Sequence, residues 1–191
     1  MTSDTTAAPA TPTAFDLLGP AHDWLAGRIA QVSTEHLARP TPCAEFDLAA
    51  LLDHLATSIE RFTGALTGTV PPDHRPPTDA AEVASRYAAL RPANLQAWAG
   101  ADPSALLRIP LGEVPASVVV HLNLSEIVLH GWDVSRATGE RAEVPEPLAA
   151  AVLAFGQAFL SDELRARAFA PRVDHDGSTS DRMAAFYGRR P

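Results

Sequence analysis

A chain of 191 residues has room for one domain with a sizeable core, and not for two unless one is very small. Apolar residues at 46% and charged residues at 20% are ordinary values for a folded chain, and 17 prolines should mark breaks between elements. The formal charge of -8 excludes a phosphate-tracking surface, so neither nucleic acid nor anionic membrane is an expected partner.

Residues 1–13 are mostly Thr, Ala, Pro and Ser, without the basic start and apolar run of a secretory signal, and read as a disordered tail ahead of a domain over residues 14–191. Leu18, Ala21, Leu25, Ile29 and Val32 then recur at three- and four-residue steps, which predicts a first helix over residues 15–35. After Pro40 and Pro42, Asp47 can cap a second helix with the stripe Leu48, Leu51, Leu52, Leu55, Ile59, Phe62 and Leu66, and Gly68 suits its end. Asp79 with Glu82 resembles a capping box for a third helix through Val83, Tyr87 and Leu90, which Pro92 is expected to kink or interrupt before Trp98. Residues 106–111 have too few strand-type neighbours to build a sheet and are read as irregular.

Pro115 suits the first position of a fourth helix running to Thr138, with Gly139 just past its end. Val118, Val119, Val120, Leu122, Leu124, Ile127, Val128 and Leu129 lie almost all round it, so this helix should be central and buried. Its polar residues His121, Asn123 and Glu126 also rule out a membrane span. An Ala-rich helix follows Pro147 to about residue 159, and a short closing helix is expected over residues 181–187. The sum is an all-α chain, a helical bundle with a short C-terminal appendage.

Glu126 and His130 are four residues apart on the buried helix, offset by about 40° around its axis and roughly 6 Å along it. A carboxylate in such a place needs a partner or a metal. Two readings fit. In one, Glu126 pairs with an Arg of another helix and His130 is a satisfied core histidine; in the other, both are metal ligands. His121 falls on the opposite side and is read as a non-ligand, while Asp133 is placed to orient a ligand or a bound water. His54, at the edge of the leucine stripe, is the leading third ligand ahead of His36, His74 and His175, with His22 in reserve. Two imidazoles and one carboxylate suit zinc first, then nickel, iron or copper, and three protein ligands leave a position open for chemistry. Cys43 is the sole cysteine, so no intrachain disulfide can form and a reducing cytoplasmic setting is expected. Its thiol, ahead of a helix, is read as a small packing residue rather than a reactive group.

Three segments together resemble the DinB-like superfamily, in the branch related to the metal-binding domain of mycothiol-dependent maleylpyruvate isomerase. They are Thr41-Pro42-Cys43 through Phe46-Asp47 to Leu51-Leu52-Asp53-His54-Leu55, the run from Glu126-Ile127-Val128-Leu129-His130-Gly131-Trp132-Asp133 to Gly139, and the ending Asp181-Arg182-Met183-Ala184-Ala185-Phe186-Tyr187-Gly188-Arg189. The resemblance implies a four-helix bundle with one divalent metal held by a histidine of the second helix and a glutamate and histidine of the fourth, the positions of His54, Glu126 and His130. It also implies use of a low-molecular-weight thiol, usually mycothiol, activated by the metal. Phe46 stands where the family usually has tryptophan, and only about fifty residues follow the fourth helix, where the isomerases carry a second domain.

The leading expectation is therefore a metal-dependent thiol S-transferase acting on a small electrophile, with a homodimer through bundle faces as the expected assembly. Metal-assisted hydrolysis and a non-catalytic metal-binding or interaction module are the alternatives.

Overall fold

The computed structural model describes residues 11–191, and the tail expected at the N-terminus lies for the most part outside them. Thr13, at the end of that expected tail, is the cap of the first helix, α1 (Ala14–Ile29): its Oγ1 accepts from the Asp16 N–H, and the Asp16 carboxylate accepts the Thr13 N–H at 2.9 Å. This helix stops well before residue 35. Ser33 and Thr34 begin a separate 3-10 turn (Thr34–His36), in which the Ser33 N–H donates to His36 Nδ1 at 3.2 Å, a side-chain alternative to the helical ladder.

Asp47 caps α2 (Leu48–Thr67) through the Ala50 N–H, and Asp79 caps α3 (Ala80–Ala99) through the Glu82 N–H. Pro92 does not end α3. Pro92 and Ala88, whose carbonyl the missing N–H would have bonded, both face solvent, so the lost hydrogen bond leaves no buried carbonyl unpaired. Residues 106–111 are not irregular: they begin an antiparallel hairpin of β1 (Leu106–Ile109) and β2 (Gly112–Pro115), pairing Leu107 with Val114. Pro115 accordingly closes β2 and caps α4 (Ala116–Thr138), rather than filling its first turn. Beyond it come α5 (Glu146–Phe159), α6 (Asp162–Ala168), which periodicity did not indicate, and α7 (Thr179–Phe186).

The first four helices form a bundle in which α1 and α2 each pack against both α3 and α4. The diagonal steps, α1 to α2 and α3 to α4, are made by the long connection over residues 30–47 and by the hairpin segment. Helix α4 is the most enclosed, touching α1, α2 and α5, while α7 docks on α5. Leu48, Leu51, Leu52, Leu55 and Ile59 of α2 are all buried, each contributing about 1.5–3 kcal/mol if fully withdrawn from water. Among the described residues no helix is long and apolar enough to cross a membrane.

Two features inside the bundle are testable. Gly131 of α4 lies directly under the Trp24 ring of α1, so close that an added Cβ would overlap ring carbons. Gly131→Ala should therefore cost about 1–3 kcal/mol of stability in urea unfolding, because two rigid helices must move apart. His22 of α1 is wholly buried, with Nε2 3.0 Å from Asn94 Oδ1 and Nδ1 2.9 Å from Tyr87 Oη. Burial lowers its pKa and outweighs the opposing hydrogen bond from Asn94, so the imidazole is neutral in the folded state. As pH falls below the ordinary histidine value the unfolded chain gains this proton first, and His22's contribution to stability is lost. His22→Gln should thus flatten the acid limb of stability measured against pH below about 6.5.

Candidate metal centre

His54, on the second turn of α2, and Glu126 and His130, on successive turns of α4, meet where these two helices pack. One ligand atom from each lies within 4.8 Å of the others, and among the described residues this is the one group of three or more His, Cys, Asp or Glu side chains that could hold an ion. Glu126 Oε2 stands 3.2 Å from His54 Nε2 and 3.4 Å from His130 Nε2. Two ligand atoms about 2.0–2.1 Å from a tetrahedral zinc are about 3.3 Å apart, so these edges fit. Although Oε2 is buried and close to both rings, it has no hydrogen-bond partner of acceptable geometry. The three atoms converge on a common point rather than bonding to one another.

Electrostatics sharpens the arrangement. Burial pushes the Glu126 pKa up, but the imidazoles of His130 and His54 outweigh it and hold the carboxyl below the usual carboxylate range. For His130, burial pushes the pKa down, and the carboxylates of Asp133 and Glu126 more than reverse that, so the metal-free ring holds its second proton above the ordinary histidine range. Asp133 is raised by burial and lowered more strongly by His130 and Arg189. In the metal-free site two anionic carboxylates thus face the Arg189 guanidinium and a protonated His130.

The side chains differ in access. His54 and Glu126 are 35% and 30% exposed, whereas His130 is 8% exposed, so the cluster is most deeply buried at His130 and nearest to solvent at His54 and Glu126. His130 Nδ1–H donates to Asp133 Oδ2 at 3.0 Å, which directs Nε2 toward the centre. The Asp133 carboxylate is wholly buried. Phe46 stacks on the His54 ring, with centroids 5.1 Å apart and planes 23° from parallel, so the residue that replaces tryptophan packs directly on a ligand candidate. Thr41 Oγ1 bonds the carbonyls of Cys43 and Phe46 and shapes the loop that carries this ring.

The remaining sequence candidates fall elsewhere. His22 belongs to the Tyr87–Asn94 network and is not a ligand in reserve. His121 donates to Ser117 O and stacks on Phe155, in keeping with a non-ligand. His74 pairs with Glu60 at 2.6 Å. Among the described residues Glu126 has no Arg partner; Arg189 reaches the neighbouring Asp133 instead. No periodicity signals that contact, since Arg189 follows the last helix and its target lies 56 positions earlier. Cys43 is half-buried, and burial pushes its thiol pKa up despite Arg189 nearby, so it is a neutral thiol. It lines, with Arg189, Tyr187 and residues 166–173, a cleft of about 860 Å³ between the loop before α2 and the C-terminal segments.

Comparison with known proteins places this chain in a family. The chain is 31% identical over 173 residues to uncharacterised proteins from two strains of Mycobacterium tuberculosis, CDC 1551 / Oshkosh and H37Rv, covering 88% of this chain and 93% of each of theirs. A crystal structure of the mycothiol-dependent maleylpyruvate isomerase superposes with a TM-score of 0.51 at 19% identity, over 74% of this chain. That likeness is one of fold, and the matched region spans 66% of the isomerase. Residues 18–135, which include His54, Glu126, His130 and Asp133, match the model of the mycothiol maleylpyruvate isomerase N-terminal domain, and the chain belongs to that family.

Proposed function

We propose that this protein is a metal-dependent thiol S-transferase. It holds one divalent metal through His54, Glu126 and His130, with zinc as the simplest choice and nickel or iron as alternatives, and joins a low-molecular-weight thiol of the mycothiol type to a small electrophile. The observation that carries this reading is the convergence of three donor atoms around a buried carboxylate oxygen that no protein hydrogen bond satisfies. Membership in a family named for a mycothiol enzyme supports the thiol.

A divalent ion bound there supplies a Lewis acid that lowers the pKa of a thiol and favours its thiolate form. The chain's own residues do the rest. His54 and Glu126 leave the solvent-facing side open for an incoming small molecule, and a centre open on one side suits catalysis better than a closed structural site. Asp133 fixes the ring of His130, and Phe46 limits tilting of His54.

Elemental mass spectrometry of the purified protein is expected to find about one transition metal per chain, lost in both Glu126→Ala and His54→Ala. A wild type that is metal-free and cannot be reloaded with zinc or nickel would overturn the metal reading. In cobalt-substituted protein, adding thiol should shift the visible absorption, because sulfur enters the ligand field; no response at about millimolar thiol would remove the thiol from the proposal.

A further inference from the structure

We infer that Arg189 is a positioning residue for the metal centre, holding in place the Asp133 carboxylate that orients His130. The inference rests on the metal reading above and adds a residue outside the family-matched region.

The local sequence explains how Arg189 reaches α4. Helix α7 ends in a Schellman motif: the Gly188 N–H bonds Ala185 O at 3.0 Å and the Arg189 N–H bonds Ala184 O at 2.9 Å. Gly188 has φ +83°, and a Cβ there would stand 2.6 Å from Ala170 O, so both conformation and space call for glycine. The chain is thereby turned back toward the bundle, and the Arg189 side chain enters it.

Once inside, the guanidinium forks onto Asp133, with Nε 3.2 Å from Oδ1 and Nη2 2.8 Å from Oδ2, while Nη1 donates to Tyr187 O at 3.0 Å. Asp133 Oδ2 is the same oxygen that accepts from His130 Nδ1. Two donors therefore meet on one acceptor, and the rigid planar fork determines where that acceptor sits. Asp133 is fully buried and Arg189 is 5% exposed, so water cannot stand in for either partner. Without the fork, the carboxylate would keep His130 as its one charged partner and gain rotational freedom, and the Nε2 atom facing Glu126 would lose its fixed direction.

A role confined to anchoring the C-terminal segment predicts something different, and the structure offers a control. Arg165 of α6 holds the same segment through Nη1 to Phe186 O at 2.6 Å, without contact to Asp133. Zinc affinity, measured by competition with a chromophoric chelator, and the visible spectrum of the cobalt-substituted full chain are compared for wild type, Arg189→Gln, Arg189→Lys and Arg165→Gln. Arg189→Gln is expected to bind zinc about 10–100-fold more weakly with altered cobalt bands, and Arg189→Lys, which keeps the charge but not the fork, to fall between. Arg165→Gln should melt at lower temperature with wild-type zinc affinity. Wild-type affinity and bands in Arg189→Gln would overturn the inference, as would an equal loss of affinity in Arg165→Gln. Should Arg189→Gln fail to fold, wild-type values in Arg189→Lys would overturn it instead. A wild type that takes up no zinc overturns the metal reading itself, before any variant is compared, so the two failures are distinct.

Discussion

The structure depends on one constraint, the partnering of ionisable side chains buried along α4. Glu126, His130 and Asp133 lie within two turns of a helix whose other buried positions are mostly apolar, among them Val119, Val120, Leu124, Ile127, Val128, Leu129 and Trp132. An unpaired charge in such surroundings costs several kcal/mol, so each must be met by a group from another segment. His54 comes from α2 and Arg189 from beyond α7, which ties the second helix, the fourth helix and the end of the described chain into one polar cluster. The apolar packing would tolerate small shifts of these segments. The charge cluster tolerates fewer, because hydrogen-bond energy falls steeply with angle and distance.

Burial is graded across the cluster, from Asp133 and Arg189 inside, through His130, to the partly exposed His54 and Glu126. The appendage takes part as well. Residues 166–173 and 187–190 wall a cleft against the loop that carries Cys43 and Phe46, and the same segments deliver Arg189. The family match ends at residue 135, so this wall is built by a part of the chain that the shared domain does not describe.

Much of the bundle was legible before any coordinates. Strong stripes and caps marked α2 and α4, and Asp47, Gly68 and Gly139 act as their positions suggest. Where expectation and structure part, a local competitor is responsible. Ser33 with His36 diverts the chain out of α1, the solvent-facing Pro92 leaves α3 intact, and a two-stranded hairpin forms because it packs against α2 and α4 rather than extending into a sheet. The brief α6 is seven residues long, too short for periodicity to signal it.

What the sequence determined by itself is whatever acts over short spans: helix stripes, caps, the buried character of α4, and the shared face of Glu126 and His130, since spacing along one helix settles which side chains are neighbours. Its resemblance to a known family added His54, which the helical wheel alone left at the margin of a leucine stripe. Only the tertiary structure decided which arginine answers the buried charge, that Asp133 rather than Glu126 receives it, that Phe46 stacks on His54, and that His130 is buried while His54 stays partly exposed. Those contacts join residues far apart in the chain, and their geometry depends on how helices pack, which no local pattern encodes.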